Sequence, residues 1–91
     1  MQKWEYCHVL YTYLFSKKDH DTKEFTAVYG VTVTYYQSDG QHKRVEEPDV
    51  FPETVLAFLG EEGWELVTVE YLVNEEGMLR RVYYLKRPKF M

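Results

Sequence analysis

Leu56–Ala57–Phe58–Leu59–Gly60–Glu61–Glu62–Gly63–Trp64–Glu65–Leu66–Val67 reads as the end of a helix, a two-glycine stop and the start of a strand. A helix ending here needs a residue that takes positive φ without a Cβ penalty, and Gly60 or Gly63 can supply it. Upstream, Val55, Leu56, Phe58 and Leu59 are spaced for one helical face. Pro52 suits the first turn, where its missing N–H costs nothing. Asp49 suits a cap or turn just before it. Downstream, Trp64, Leu66, Val67, Val69, Tyr71, Leu72 and Val73 have the β-branched and aromatic bias of a strand. A helix of about three turns is marginal alone, so its apolar stripe must pack on something. Gly60, Gly63 and Trp64 are therefore the structural corner around which the chain is arranged.

The 91 residues suit one domain, 1–91, with a single modest core. Nine tyrosines and an aromatic content of 18% favour a sheet over a helical bundle. The formal charge of −4 weighs against general nucleic-acid affinity. The single cysteine, Cys7, excludes an internal disulfide framework and points to a reducing compartment. No apolar run reaches membrane-spanning length, and Met1–Gln2–Lys3–Trp4–Glu5 lacks the apolar core of a signal peptide. The expectation is a soluble, cytoplasmic protein.

Outward from the corner, strand patterns run over Lys3–Phe15 and Phe25–Tyr36. In the first, Trp4, Tyr6, His8, Leu10, Thr12 and Leu14 oppose Glu5, Cys7, Val9, Tyr11, Tyr13 and Phe15. Neither set is cleanly polar, which implies cover on both faces. In the second, Phe25, Ala27, Tyr29, Val31, Val33 and Tyr35 alternate with a threonine-rich set. Gly30 within it suggests a bulge or a close backbone approach. Ser16–Glu24 reads as a loop and Asp39–Gly40 as a turn. Lys43–Arg44–Val45 is a short arm able to pair back, and Glu46–Glu47–Pro48–Asp49 ends any extended run. After the corner, a strand over Trp64–Val73, a turn at Asn74–Glu75–Glu76–Gly77 and a strand over Met78–Lys86 complete the chain. The reading is α+β: an antiparallel four-stranded sheet, β-β-α-β-β, with one helix packed on one face.

Trp4–Glu5–Tyr6, Leu59–Gly60–Glu61–Glu62–Gly63–Trp64–Glu65–Leu66–Val67 and Leu85–Lys86–Arg87–Pro88 resemble the DUF4177 family of small bacterial and phage proteins of unknown function. The central stretch is the specific one. The chain differs in having a longer first hairpin, Phe15 to Arg44. The resemblance implies the same small fold and assigns no catalytic residue.

No cofactor or metal motif is present. Cys7 and His8 are adjacent in a strand and point to opposite faces, and His20 and His42 sit in loops. A buried, inert Cys7 is the plainer reading. Asp19–His20–Asp21 is a solvated loop before it is an ion site. No Lys or Arg occurs between Arg44 and Arg80, and the carboxylates collected there offer an acid/base pair only if two converge. Glu65 has a structural alternative, pairing with a cation on the next strand. Arg80, Arg81, Tyr83 and Tyr84 combine cationic forks with stacking rings, the chemistry of a small anionic, nucleotide-like ligand held between subunits. The tyrosines also suit an interface. One helix cannot cover both faces of a sheet, so a homo-oligomer, a dimer first, is expected. The expected function is a non-enzymatic interaction module. The ligand binder is the alternative, and an enzyme using paired carboxylates stands behind both.

Overall fold

The computed structural model describes residues 2–18, 25–37, 39–73 and 78–89. The chain runs β1 (Trp4–Lys18), β2 (Phe25–Tyr36), β3 (His42–Pro48), α1 (Pro52–Glu61), β4 (Glu65–Val73) and β5 (Met78–Pro88). One antiparallel sheet results, in the order β3-β2-β1-β5-β4. The fold is α+β as expected, but the sheet has five strands instead of four, in the order β-β-β-α-β-β. The additional strand is β3, which takes in the Glu46–Pro48 stretch expected to end extension. It pairs with β2 from Tyr36↔His42 to Gly30↔Pro48. Its side chains are exposed on both faces except the half-buried Val45, opposite Val33. A strand wet on both sides has no apolar alternation to betray it. β1 also runs on through Ser16–Lys18, where a loop was expected. The expected loop at Asp19–Glu24 and turn at Asn74–Gly77 lie outside the described residues.

The corner takes a specific form. Gly63 has φ +92, whereas Gly60 lies within α1, so Gly63 is the stop. Trp64 N–H donates to Leu59 O at 3.0 Å and Gly63 N–H to Gly60 O at 3.1 Å. These are the two bonds of a Schellman motif, in which the residue after the glycine packs back on the last turn. Trp64 and Leu59 do so: both belong to the central buried cluster, at 7% and 1% exposure. At the other end, Pro52 opens the helix after Phe51, whose side chain makes no cap bond. Asp49 is a turn residue rather than a cap. It holds φ +59, and its N–H donates to Tyr29 O at 3.0 Å. Gly30 makes this approach feasible, because a Cβ there would stand 3.2 Å from Glu47 O.

β1 is the central strand, and its alternation sets two faces. Cys7, Val9 and Tyr11 lie opposite Tyr35, Val33 and Val31 of β2 and opposite Leu85, Tyr83 and Arg81 of β5. This is the helix face. Its buried cluster comprises Cys7, Val9, Tyr11, Val31, Val33, Tyr83 and Leu85 with Leu59 and Trp64, and Val55 and Leu56 pack against it. The sheet has two unlike borders. β3 presents Lys43, Arg44, Glu46, Glu47 and Pro48, whereas β4 leaves Leu66, Val67, Tyr71 and Leu72 exposed and is interrupted by a bulge between Leu66 and Thr68.

The molecule measures 60 × 24 × 21 Å with a radius of gyration of 16.1 Å. A compact domain of this length has about 12 Å. The elongation follows from the strands, since fifteen residues of β1 reach about 50 Å. Among the described residues, no helix is long and apolar enough to cross a membrane.

Candidate functional site

The face opposite the helix is built by the alternate residues of the same strands. Tyr6 is flanked by Tyr36 and Lys86, His8 by Thr34 and Tyr84, and Leu10 by Thr32 and Val82. Beyond β5, Thr68 is opposite Tyr84, Glu70 opposite Val82 and Leu72 opposite Arg80. Tyr6 is 53% exposed, Tyr36 48%, Leu72 38% and Tyr84 37%, large side chains left in solvent on a single surface. His8 sits among them. The Tyr36 hydroxyl and His8 Nδ1 are 2.7 Å apart, and the Tyr84 ring meets the imidazole edge-on at 6.2 Å. Burial, and then the Arg44 charge, hold the imidazole below its ordinary pKa. Next to it in sequence, burial on the helix face pushes the Cys7 thiol up to about 12, against a smaller lowering by Arg87.

Strand alternation divides the four residues singled out from the sequence. Arg81 and Tyr83 lie on the helix face, with Arg81 Nη1 donating to Tyr83 Oη at 3.4 Å. Arg81 also lies 5.8 Å from the Tyr11 ring centre and 5.7 Å from that of Tyr71. Its Nε is buried without a hydrogen-bond partner among the described residues. Arg80 and Tyr84 are on the open face. Tyr83 is buried, so its ring serves the core.

A second feature was not singled out from the sequence. β1 begins pairing with β2 at Tyr6↔Tyr36, whereas it pairs with β5 from Trp4↔Pro88. Trp4 and Glu5 thus run past the end of β2 and leave a notch of about 790 Å³, bordered by Tyr35, Tyr36, Lys43, Trp64, Arg87 and Lys89. Arg87 braces it. Its Nε donates to Glu5 Oε2 at 2.8 Å and its Nη1 to Glu62 O at 3.1 Å, and its guanidinium lies 4.5 Å from the Trp64 ring centre. Lys86 Nζ lies 4.2 Å from the Trp4 ring centre. Trp4 and Glu5, Glu62 and Trp64, and Arg87, far apart in the chain, therefore meet here. Residues as far apart as Glu5 and Arg87 do not announce contact by local pattern.

The described carboxylates between Arg44 and Arg80 are all exposed and spread over β3, α1, β4 and the turns at Asp49 and Glu62. Glu65 lies opposite Lys86 in register, and Glu75 and Glu76 lie outside the described residues. Among the described residues, no group of three or more His, Cys, Asp or Glu side chains is placed to hold a metal ion. No protein-family model, curated protein or solved structure matches the chain.

Proposed function

We propose that this protein is a non-enzymatic interaction module that assembles with copies of itself, a dimer first, through the open face of its sheet. The observation that carries the reading is the set of exposed side chains Tyr6, Tyr36, Tyr84 and Leu72 on the surface the lone helix leaves uncovered. Five strands at about 4.8 Å and some ten residues of β1 at about 3.4 Å give roughly 800 Å², one side of an ordinary interface. The charges on this face are Arg44 and Glu46 on the edge strand β3, Glu65 and Glu70 on the edge strand β4, and Arg80 and Lys86 on the inner strand β5. Exposed tyrosines set among polar and charged groups are common in interfaces, and charges of both signs can satisfy themselves against a rotated copy.

Size-exclusion chromatography with light scattering tests this. The expected mass at micromolar concentration is twice the 11.0 kDa of one chain. Tyr84→Glu combined with Leu72→Arg is expected to return it to one chain with unchanged far-UV circular dichroism. A monomeric wild-type protein counts against the proposal. Membership of the DUF4177 family and a reducing, cytoplasmic setting, the latter supported by the lone Cys7, belong to the same proposal.

The unpartnered Nε of Arg81 favours a second reading, an anionic, nucleotide-like ligand gripped by Arg81 between the rings of Tyr11 and Tyr71. Thermal shift against a nucleotide panel checks it. Stabilisation that disappears in Arg81→Ala supports the binder, and a flat panel removes it.

A further inference from the structure

The notch at the end of β2 shares Tyr6 and Tyr36 with the end of the open face, but neither the centre of that face nor Arg81 lines it. Its volume of about 790 Å³ falls within the range of small-molecule sites. Trp4, Tyr6, Tyr35, Tyr36 and Trp64 supply its apolar lining. Three cations reach it, Lys43, Arg87 and Lys89, against one carboxylate, Glu5. That carboxylate is engaged by Arg87. Among the described residues, neither Lys43 nor Lys89 has an ion-pair partner. The side chains lining the notch are thus positive by two charges, partly offset by the Glu62 carboxylate near Tyr35, in a chain whose formal charge is −4. Such a reversal draws an anion to this point against the average field of the molecule. Bare phosphate leaves the ring faces unused, and a neutral ring leaves the lysines unused.

We propose that the notch binds a small planar anion, an aromatic ring carrying a carboxylate or a phosphate. The ring stacks against Trp4 and the outward faces of Tyr6 and Tyr36. The charged group is met by Lys43 and Lys89, while Arg87, held by Glu5 and the Glu62 carbonyl, fixes the indole of Trp64 as the floor. Aromatic stacking of this kind tolerates many rings, so the charge and the flatness define the class.

The chain holds two tryptophans, and both line the notch, so intrinsic indole fluorescence reads this site directly. Adenosine 5′-monophosphate and benzoate serve as anionic rings, adenosine and benzamide as their neutral counterparts, and inorganic phosphate as the anion without a ring. The expected result is a saturable change with at least one anionic ring, at least tenfold weaker for its neutral counterpart and for phosphate. The response to the two anionic rings tells the phosphate source from the carboxylate. The double variant Lys43→Glu, Lys89→Glu weakens that binding at least tenfold while its melting curve stays that of the parent, and Arg81→Ala leaves the affinity unchanged. No saturable response to either anionic ring overturns the proposal. So does equal binding of the neutral ring, or a loss in Arg81→Ala without a loss in the double lysine variant. Light scattering on the same samples reports assembly separately, so a monomer that binds sinks the interface and spares the notch, and a dimer that does not bind does the reverse.

Discussion

Cys7 and His8 are one peptide bond apart and live in different solvents. Cys7 is sealed beneath α1 among Val9, Val33, Leu85 and Leu59, whereas His8 looks out between Tyr36 and Tyr84. The strands, their register and their hydrogen bonds are shared, so the contrast between the two faces comes from side chains alone. On the helix face, the apolar groups of β1, β2 and β5 find the helix and the indole of Trp64, while Leu66 and Tyr71 of β4 stay exposed. On the other, Tyr6, Tyr36, Leu72 and Tyr84 find water, and only Val82 is buried among the apolar groups named there. Removing apolar area from water yields about 25 cal/mol per Å². The covered face is therefore where the isolated chain gets its stability, and the open face is where a second molecule has most to gain.

The strongest way to break that contrast is to remove the cover. Trp64→Ala should cost about 3–5 kcal/mol of folding stability in a denaturant titration, whereas Tyr84→Ala on the open face should cost the monomer less than about 1 kcal/mol. Equal losses would erase the distinction.

The next effect is chemical. Only the thiolate reacts with disulfide reagents, and raising a thiol from 9.0 to about 12 cuts the thiolate at pH 8 by about a thousandfold. Native protein should resist labelling at Cys7 until denaturant is added. Gly63→Ala comes third. A Cβ at φ +92 meets no neighbouring atom but is strained by the backbone itself, so the expected loss is about 1–2 kcal/mol. Its failure to appear would mean that the corner tolerates a different exit from the helix.

The open face should answer to pH. His8 is held below its ordinary 6.5, so the unfolded chain binds the proton more readily than the folded one. Its contribution is intact above that value and is eroded as the pH falls below it. The groups around it, the Tyr36 hydroxyl, the Tyr84 ring and Arg44, offer no carboxylate to welcome the charge. Melting temperature between pH 7.5 and 5.5 should fall, and fall less in His8→Gln. The smallest change expected is in Glu5→Gln. It breaks a half-exposed ion pair with Arg87 and should cost at most about 1 kcal/mol.

Sequence reasoning went furthest where residues near one another in the chain decide the outcome. The glycine stop, the proline start and the Trp64 strand are local matters, and so is the alternation of β1 and β2. β3 was legible only as the short pairing arm Lys43–Arg44–Val45, because an edge strand carrying His42, Lys43, Arg44, Glu46 and Glu47 has no apolar face to register. Asp49 was read as a cap or a turn residue, and the contact that makes it a turn residue, its N–H to the Tyr29 carbonyl, joins segments twenty residues apart. Among the candidate site residues, period-two alternation separates Arg80 from Arg81 and Tyr83 from Tyr84, so that run supplies two surfaces. The notch needed pairing between distant segments, with Glu5 against Arg87 and Trp64 against Tyr35 and Arg87, and no local period encodes that.

The two borders of the sheet carry a consequence of their own. Along β3, charges and Pro48 discourage an incoming strand, and along β4 the greasy outer residues are offset by a bulge that bends the rail. Fibril growth by strand addition requires a receptive rail on both flanks. With one flank closed, lateral recruitment ends after a single event, so a concentrated solution of this aromatic-rich chain should form finite particles and stay clear of amyloid-type polymer.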